Sequence, residues 1–377
     1  MNRYALQLIS RGAVNKIGNM LYDYGNSVWL ASMGTIGQTV LGIYQISELV
    51  TSILVNPFGG VISDRFSRRK ILMTTDLICG ILCLAISFIR NDSWMIGALI
   101  VANIVQAIAF AFSRPANKAI ITELVMQVVS VSSPVLSFLV LQFASLSITL
   151  VLDALSFFLA FGLVALLPKK EEKTLGEKKL TFKVICADIK EGVHYIVKQK
   201  EIFFLLVMAS SVNFFFAAFN YLLPFSNQLY GVQGAYATIL TMGAIGSIVG
   251  ALLASKIKAS MEMLLFLLAL TGLGVMIMGF PLPSYLAFSG NFICELFMTI
   301  FNIHFFTQVQ TKVEGEYLGR VLSSIYTLAI LFMPIATGLM TLLPSVHLYS
   351  FLIIGLGVVS LSFLALGYVR THFKKEL

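Results

Sequence analysis

Apolar residues run along this chain in blocks of about twenty, broken by short clusters of charge or by Gly, Pro and Asn. A helix rises about 1.5 Å per residue, so a block of that length can cross a hydrocarbon layer of about 30 Å. Twelve blocks read as spans: 13–34, 38–61, 71–89, 95–113, 124–145, 147–167, 202–223, 235–255, 262–280, 284–307, 319–342 and 346–369. The first has Arg3, Arg11 and Lys16 at its front, but its length and the spans behind it mark it as a membrane span and not a cleavable leader. The narrowest border is "FASLS" at 143–147. One stretch, 168–201, has a different pattern. Its first half is charged, and from about 181 to 199 it places Phe182, Ile185, Ile189, Val193 and Ile196 at three- and four-residue spacing. That predicts an amphipathic helix lying on the inner membrane surface, either a tether or a regulatory, partner-binding element. The expected organisation is an all-α membrane protein: a six-helix bundle (1–167), a cytoplasmic linker (168–201) and a second six-helix bundle (202–377).

Charge gives this pattern an orientation. With the N-terminus in the cytoplasm, the outer loops are 34–38, 90–94, 145–147, 223–235, 280–284 and 342–346, and of 26 Lys and Arg only Arg90 falls there. This is the positive-inside bias, and it predicts that both termini are cytoplasmic. It also accounts for the net charge of +8, so no nucleic-acid partner is needed, and the basic loops lack interleaved aromatics. A composition 58 % hydrophobic and 12 % charged excludes a soluble core of this size and makes the bilayer a partner.

Candidate chemistry is sparse. Cys79, Cys83, Cys186 and Cys294 form no CxxC pair or zinc spacing, and the three in apolar helices read as small buried hydrophobes, so no metal is expected. His194, His304, His347 and His372 are scattered, which leaves an enzyme without a convergent constellation. Gly243, Gly246 and Gly250 precede no Gly-Lys-Ser/Thr and read as helix packing. With no nucleotide cofactor, transport would draw on a proton or other ion gradient, or on the solute's own. The two blocks also resemble each other. "GGVISDRFS" (59–67) and "GALLASKIK" (250–258) follow equivalent spans, with Gly59 matching Gly250, Asp64 matching Ser255 and Arg65 matching Lys256; Pro134 and Pro334 correspond as well. Two parallel six-helix halves are an arrangement of secondary transporters.

"GGVISDRFSRRK" (59–70) resembles the loop 2–3 signature of the major facilitator superfamily, with Gly60, Asp64, Arg65, Arg68 and Arg69 on its pattern. "SRPANKAIITELV" (113–125), "EYLGRVLSSI" (316–325) and "LVLDALSFFLAF" in the sixth span are similar to the macrolide-efflux-like branch. The resemblance implies a monomeric twelve-helix transporter of the cell membrane that exports drug-like amphipathic compounds by proton exchange and alternating access. It does not specify substrate. Ser133-Pro134-Val135-Leu136-Ser137-Phe138 stands where antiporters of the superfamily carry Gly-Pro-x-x-Gly-Gly, which leaves direction open, and the loop between spans 4 and 5 is shorter than usual. Export, flipping or import of a lipid, peptide or metabolite, and a non-transporting assembly role, are the competing readings.

Residue roles follow from placement and resemblance together. Asp64 and Arg65, with Arg114 at the inner end of span 4, would latch the cytoplasmic side closed, supported by Asp76; the plainer alternative is that these charges only set topology. Ionisable groups inside spans are costly and mark candidate coupling sites. Glu48 and Asp23 rank first, ahead of Glu295 and Asp153. Asn103, Gln106, Asn213, Asn220, Phe216 and Tyr24 are candidates to line a cavity for a bulky lipophilic or cationic solute, although aromatic stripes in membrane helices also pack against helices or lipid.

Overall fold

The computed structural model describes residues 3–65, 67–116, 136–143, 145–166, 182–258 and 260–372, with the side chains at 60–65, 114–116, 182–186 and 315–320 among those left out. Every regular element among the described residues is helical. The chain divides into two compact units, Met1–Ile189 and Lys190–Leu377.

The first unit contains α1 (Arg3–Ala31), α2 (Gly34–Arg65), α3 (Arg68–Ser87), α4 (Asp92–Ala116), α5 (136–143) and α6 (Leu146–Ala165). The helix α7 (Phe182–Lys198) carries the chain across the unit boundary. The second unit continues with α8 (Lys200–Leu222), a 3₁₀ turn at Leu223–Phe225, α9 (Ser226–Tyr230), α10 (Ala235–Ala254), α11 (Met261–Gly279), α12 (Ser284–Lys312), α13 (Gly315–Ala329), α14 (Met333–Thr341) and α15 (Tyr349–His372). Ten helices among the described residues are long and apolar enough to cross a membrane. The α1 helix, at 29 residues, is long enough, but it carries Arg11, Asn15, Lys16, Asn19, Asp23 and Asn26 and is not among the ten. Most of the fifth expected span, with Pro134, lies outside the described residues.

Helix ends follow local chemistry. Within the "FASLS" border, α6 starts behind an extended Ser145. Ser260 caps α11 by accepting the Met263 amide at 3.2 Å. The span expected at 319–342 is present, its membrane-length stretch running over Ser324–Thr341, but it is interrupted at 330–332 and so consists of α13 and α14. Pro334 has no amide hydrogen and its ring opposes the carbonyl one turn back, so the helix stops and restarts. The last carbonyls of α13 then lack helical partners. Asn213 of α8 donates to the Ala329 carbonyl (3.0 Å), and Ser210 adds a second donor (3.1 Å) to the Leu328 carbonyl, which also accepts the Leu331 amide (3.3 Å).

Both units use the same packing order. In the first, α3 packs against α4 and α6, α1 against α6, and α2 against α4; in the second, α11 packs against α12 and α15, α8 against α15, and α10 against α12. Gly59 and Gly250 occupy matching contacts. A Cβ on Gly59 would lie 1.9 Å from the Ala111 carbonyl oxygen of α4, and one on Gly250 2.4 Å from that of Leu296 on α12. Each lets two helix backbones touch. A second tie also recurs: Asn103 of α4 donates to the Tyr44 carbonyl on α2 at 2.9 Å, and Asn291 of α12 to the Ile239 carbonyl on α10 at 2.7 Å. Exposed ion pairs join helix ends in the second unit, Lys312 with Glu201 and Arg370 with Glu262. On α7, Ile196 is buried and Glu191, His194, Val197 and Lys198 are exposed, while the side chains of Phe182, Ile185 and Ile189, on the expected apolar face, lie outside those described.

Candidate functional site

In the first unit the polar chemistry is gathered on the inner edge of α1. Arg11 reaches Asp76 of α3 with two hydrogen bonds, Nε to Oδ2 at 2.9 Å and Nη2 to Oδ1 at 2.7 Å. Asn15 adds a third to Oδ1 at 3.0 Å. Arg11 and Asp76 are only 3 % and 2 % exposed, so this is a desolvated, bidentate pair in the bundle interior. One or two turns further along, Gly18 removes the side chain that would otherwise strike Asp153 and Ser156 of α6. Asp153 is fully buried and accepts from the Cys83 thiol at 3.3 Å, while Gln106 of α4 donates to that sulfur at 3.3 Å. Beyond it, Asn26 donates to the Tyr44 hydroxyl at 3.4 Å.

The sequence-based candidates are therefore distributed as follows. Asp76 is held by α1. Asn103 and Gln106 are buried between helices with their amides engaged by Tyr44 and Cys83, and Tyr24 is buried. Asp23 is exposed and Glu48 half-buried, and both lie within electrostatic range of Tyr44. Of the loop 2–3 signature, Arg69 donates to the carbonyls of Val164 (3.3 Å) and Ala165 (2.7 Å), closing the C-terminal end of α6 with a positive charge where the helix dipole favours one. Arg68 is exposed. Gly60, Asp64, Arg65 and Arg114, the proposed latch, lie outside the residues whose side chains are described.

Among the described residues of the second unit, two cavities share walls from α8 and α12. The smaller, about 150 Å³, is lined by Phe219, Asn220 and Leu223 of α8 and its neighbour turn, Gly243 and Ser247 of α10, and Asn291 and Glu295 of α12, with Leu240 and Ala244. Ser247 donates to Glu295 Oε2 at 3.2 Å. Gly243 makes the space, since a Cβ there would lie 2.4 Å from Asn291 Nδ2 and 3.0 Å from Glu295 Cγ. The larger, about 280 Å³, includes Asn213 of α8, Phe301, Phe305 and Phe306 of α12, and Tyr326 of α13. Its aromatic wall is continuous: Phe301 stacks on Phe305 at 6.0 Å, Phe305 meets Phe306 edge-on at 5.3 Å, and Phe306 stacks on Tyr326 at 5.3 Å. Asn213 and Asn220 are two turns apart on α8, while Asn291, Glu295, Met298, Asn302 and Phe305 step by four, three, four and three along α12. Both cavities therefore lie along the same α8–α12 seam, roughly 10 Å apart along the helix axes. Phe216 is buried between these levels, edge-on to Phe219 at 5.8 Å.

This arrangement holds a carboxylate, amides and stacked rings inside a helical bundle. A family model, "Major Facilitator Superfamily", matches residues 17–329. The chain belongs to the Major Facilitator Superfamily. Among proteins it resembles is macrolide efflux protein A of Streptococcus pyogenes, 26 % identical over 329 residues covering 78 % of each chain. Macrolide efflux protein A of Enterococcus faecalis is 26 % identical over 313 residues, covering 74 % of this chain and 93 % of that one. Solved structures share the fold at low identity. A point mutant of the nucleoside transporter NupG aligns with a TM-score of 0.76 at 13 % identity, over 97 % of this chain and 99 % of that chain. A point mutant of the peptide transporter POT aligns at 0.71 and 14 %, over 97 % and 94 %. The chain is a multi-pass membrane transport protein of this superfamily, not an enzyme.

Sequence reasoning missed several residues of this superfamily member's sites. Arg11 reads from sequence only as a topological charge and Cys83 only as a hydrophobe, and Ser247, Asn291, Asn15 and Asn26 do not stand out. The signal that could have found the last two is their placement three helical turns apart on one edge of an otherwise apolar span.

Proposed function

We propose that this superfamily member is a secondary active exporter that moves drug-like, amphipathic compounds of the macrolide type in exchange for protons, by alternating access. It would act as a monomer in the cell membrane, with both termini on the basic, cytoplasmic side. The observation that carries this reading is the α8–α12 seam. An aromatic cavity of about 280 Å³ and a carboxylate-bearing one of about 150 Å³ follow each other on one face, which suits a solute with an apolar body and a polar or cationic group. The names of the relatives from Streptococcus pyogenes and Enterococcus faecalis support the same solute class. The coupling group is sought among Glu295, Asp153, Glu48 and Asp23, carboxylates on four helices of an apolar protein.

The test is uptake of a fluorescent amphipathic amine or a labelled macrolide into everted vesicles energised by a pH gradient. The expected result is uptake that collapses with the gradient and falls at least about ten-fold in Glu295→Gln. Glu48→Gln, Asp23→Asn and Asp153→Asn divide the coupling role from solute binding. Uptake that ignores the pH gradient in the unaltered protein would refute proton exchange.

A further inference from the structure

The first unit contains a row of buried oxygen atoms that its own side chains leave unsatisfied. Among the described residues, three buried amide oxygens of α1, Asn15 Oδ1, Asn19 Oδ1 and Asn26 Oδ1, have no hydrogen-bond partner, and the Tyr22 hydroxyl between them interacts with the hydroxyl of Tyr44 but is otherwise without one. Steps of four, three and four residues place them on one edge of the helix, over a length of roughly 16 Å. Other polar groups meet the same edge in order. At one end Arg11 and Asn15 hold Asp76 of α3. At the middle a Cβ on Gly18 would lie 2.8 Å from Asp153 Oδ1 of α6, and the Tyr22 hydroxyl is within electrostatic range of Asp153, Cys83, Tyr44 and Asp23. At the far end Asn26 bonds Tyr44 of α2, which lies near Asp23 and Glu48. Asp153 itself faces Cys79 and Cys83 from α3 and Ser156 on its own helix, with Gln106 of α4 behind Cys83.

A buried acceptor with no donor is costly, and a bilayer supplies no bulk water to relieve it. One such atom is an isolated defect; three amide oxygens with a hydroxyl in register between them form a lining. The intervals of about 4.5 to 6 Å along the row are spans that one or two water molecules bridge at ordinary O–H···O distances. Amide and hydroxyl walls also give each water the two to four partners that a buried water requires.

We propose that the first unit carries a file of bound water along the Asn15–Asn19–Tyr22–Asn26 edge of α1, and that this file carries protons to and from Asp153. The water file stands on the unsatisfied atoms alone. Its role as a proton route rests on the proton-exchange reading above.

The deciding experiment is radiolytic hydroxyl-radical footprinting of the full chain in nanodiscs, in which a buried side chain is labelled only if bound water adjoins it. Tyr22 is 1 % exposed and Tyr221 of the second unit 0 %, so burial alone predicts equal, slow labelling. The file predicts that Tyr22 is labelled about ten-fold faster than Tyr221 in the unaltered protein, and equal rates would overturn it. Asn19→Leu, or Asn19→Ala if the larger side chain prevents folding, should bring Tyr22 down to the Tyr221 rate; an unchanged rate overturns a continuous file. In proteoliposomes the same variant should slow gradient-driven proton flux by about ten-fold and leave solute binding unchanged, with Asn19→Ser restoring flux. Labelling lost with flux intact overturns the proton route and leaves the water file standing. Footprinting remains decisive even if transport proves independent of protons.

Discussion

Replacing Arg11 with Met would strand Asp76. In the intact protein its carboxylate takes three hydrogen bonds, two from Arg11 at 2.9 and 2.7 Å and one from Asn15 at 3.0 Å, with both charged side chains almost fully buried. Removing one partner of such a pair costs about 3–5 kcal/mol, chiefly because the remaining charge loses its compensation without regaining water. Asp76→Leu should cost a similar amount for the mirrored reason. The double variant Arg11→Met/Asp76→Leu leaves no charge behind and should return to within about 1 kcal/mol of the intact protein. The cycle therefore predicts a coupling of about 3 kcal/mol or more. Equilibrium unfolding in mixed micelles, followed by intrinsic fluorescence, suits the measurement. The only two tryptophans, Trp29 and Trp94, lie on α1 and α4 of the unit that holds the pair. Additive single variants, with coupling below about 0.5 kcal/mol, would refute the reasoning and show that water reaches Asp76.

Other consequences are as direct. Gly59→Ala and Gly250→Ala each drive a Cβ into a facing carbonyl oxygen and should cost about 1–3 kcal/mol, whereas Gly162→Ala, with nothing within 4 Å, should be neutral or stabilising in the same unfolding assay. Asn213→Leu removes the donor to the Ala329 carbonyl at the broken helix and should destabilise the second unit by about 1–3 kcal/mol, measured by thermal unfolding. Gly243→Ala crowds Asn291 and Glu295 and should weaken binding of an amphipathic amine several-fold while leaving the fold intact, read by ligand-induced thermal shift. Lys312→Met breaks only an exposed pair and should change stability by less than about 1 kcal/mol.

Much of this architecture was legible in the residue pattern. Apolar blocks of span length, the bias of Lys and Arg to alternate loops, and the "GGVISDRFS"/"GALLASKIK" correspondence are one-dimensional properties, because bilayer thickness and helical rise convert sequence length directly into depth. Gly59 and Gly250 were paired by pattern, and the structure places both against a facing backbone. The break at 330–332 was less legible, since a proline in a membrane span can kink a helix or divide it depending on which neighbours satisfy the freed carbonyls. Here Asn213, over a hundred residues away, does so, with Ser210 as a second donor to the Leu328 carbonyl.

The roles of polar residues were decided by tertiary structure. Depth along a span is encoded locally, but the helix that a side chain faces is not. Asn103 and Asn213 look alike in sequence, yet Asn103 ties two helix backbones together, while Asn213 caps a broken helix and lines the aromatic cavity. Arg11 and Asp76 are 65 residues apart, and nothing in either segment names the other as its partner. The sequence determined that the described spans would be helices of membrane-crossing length and which stretches between them carry charge. Only packing chose which carboxylates would be paired, which would face a cavity, and which buried oxygens would be left for water, because each of those depends on contacts between helices distant in the chain.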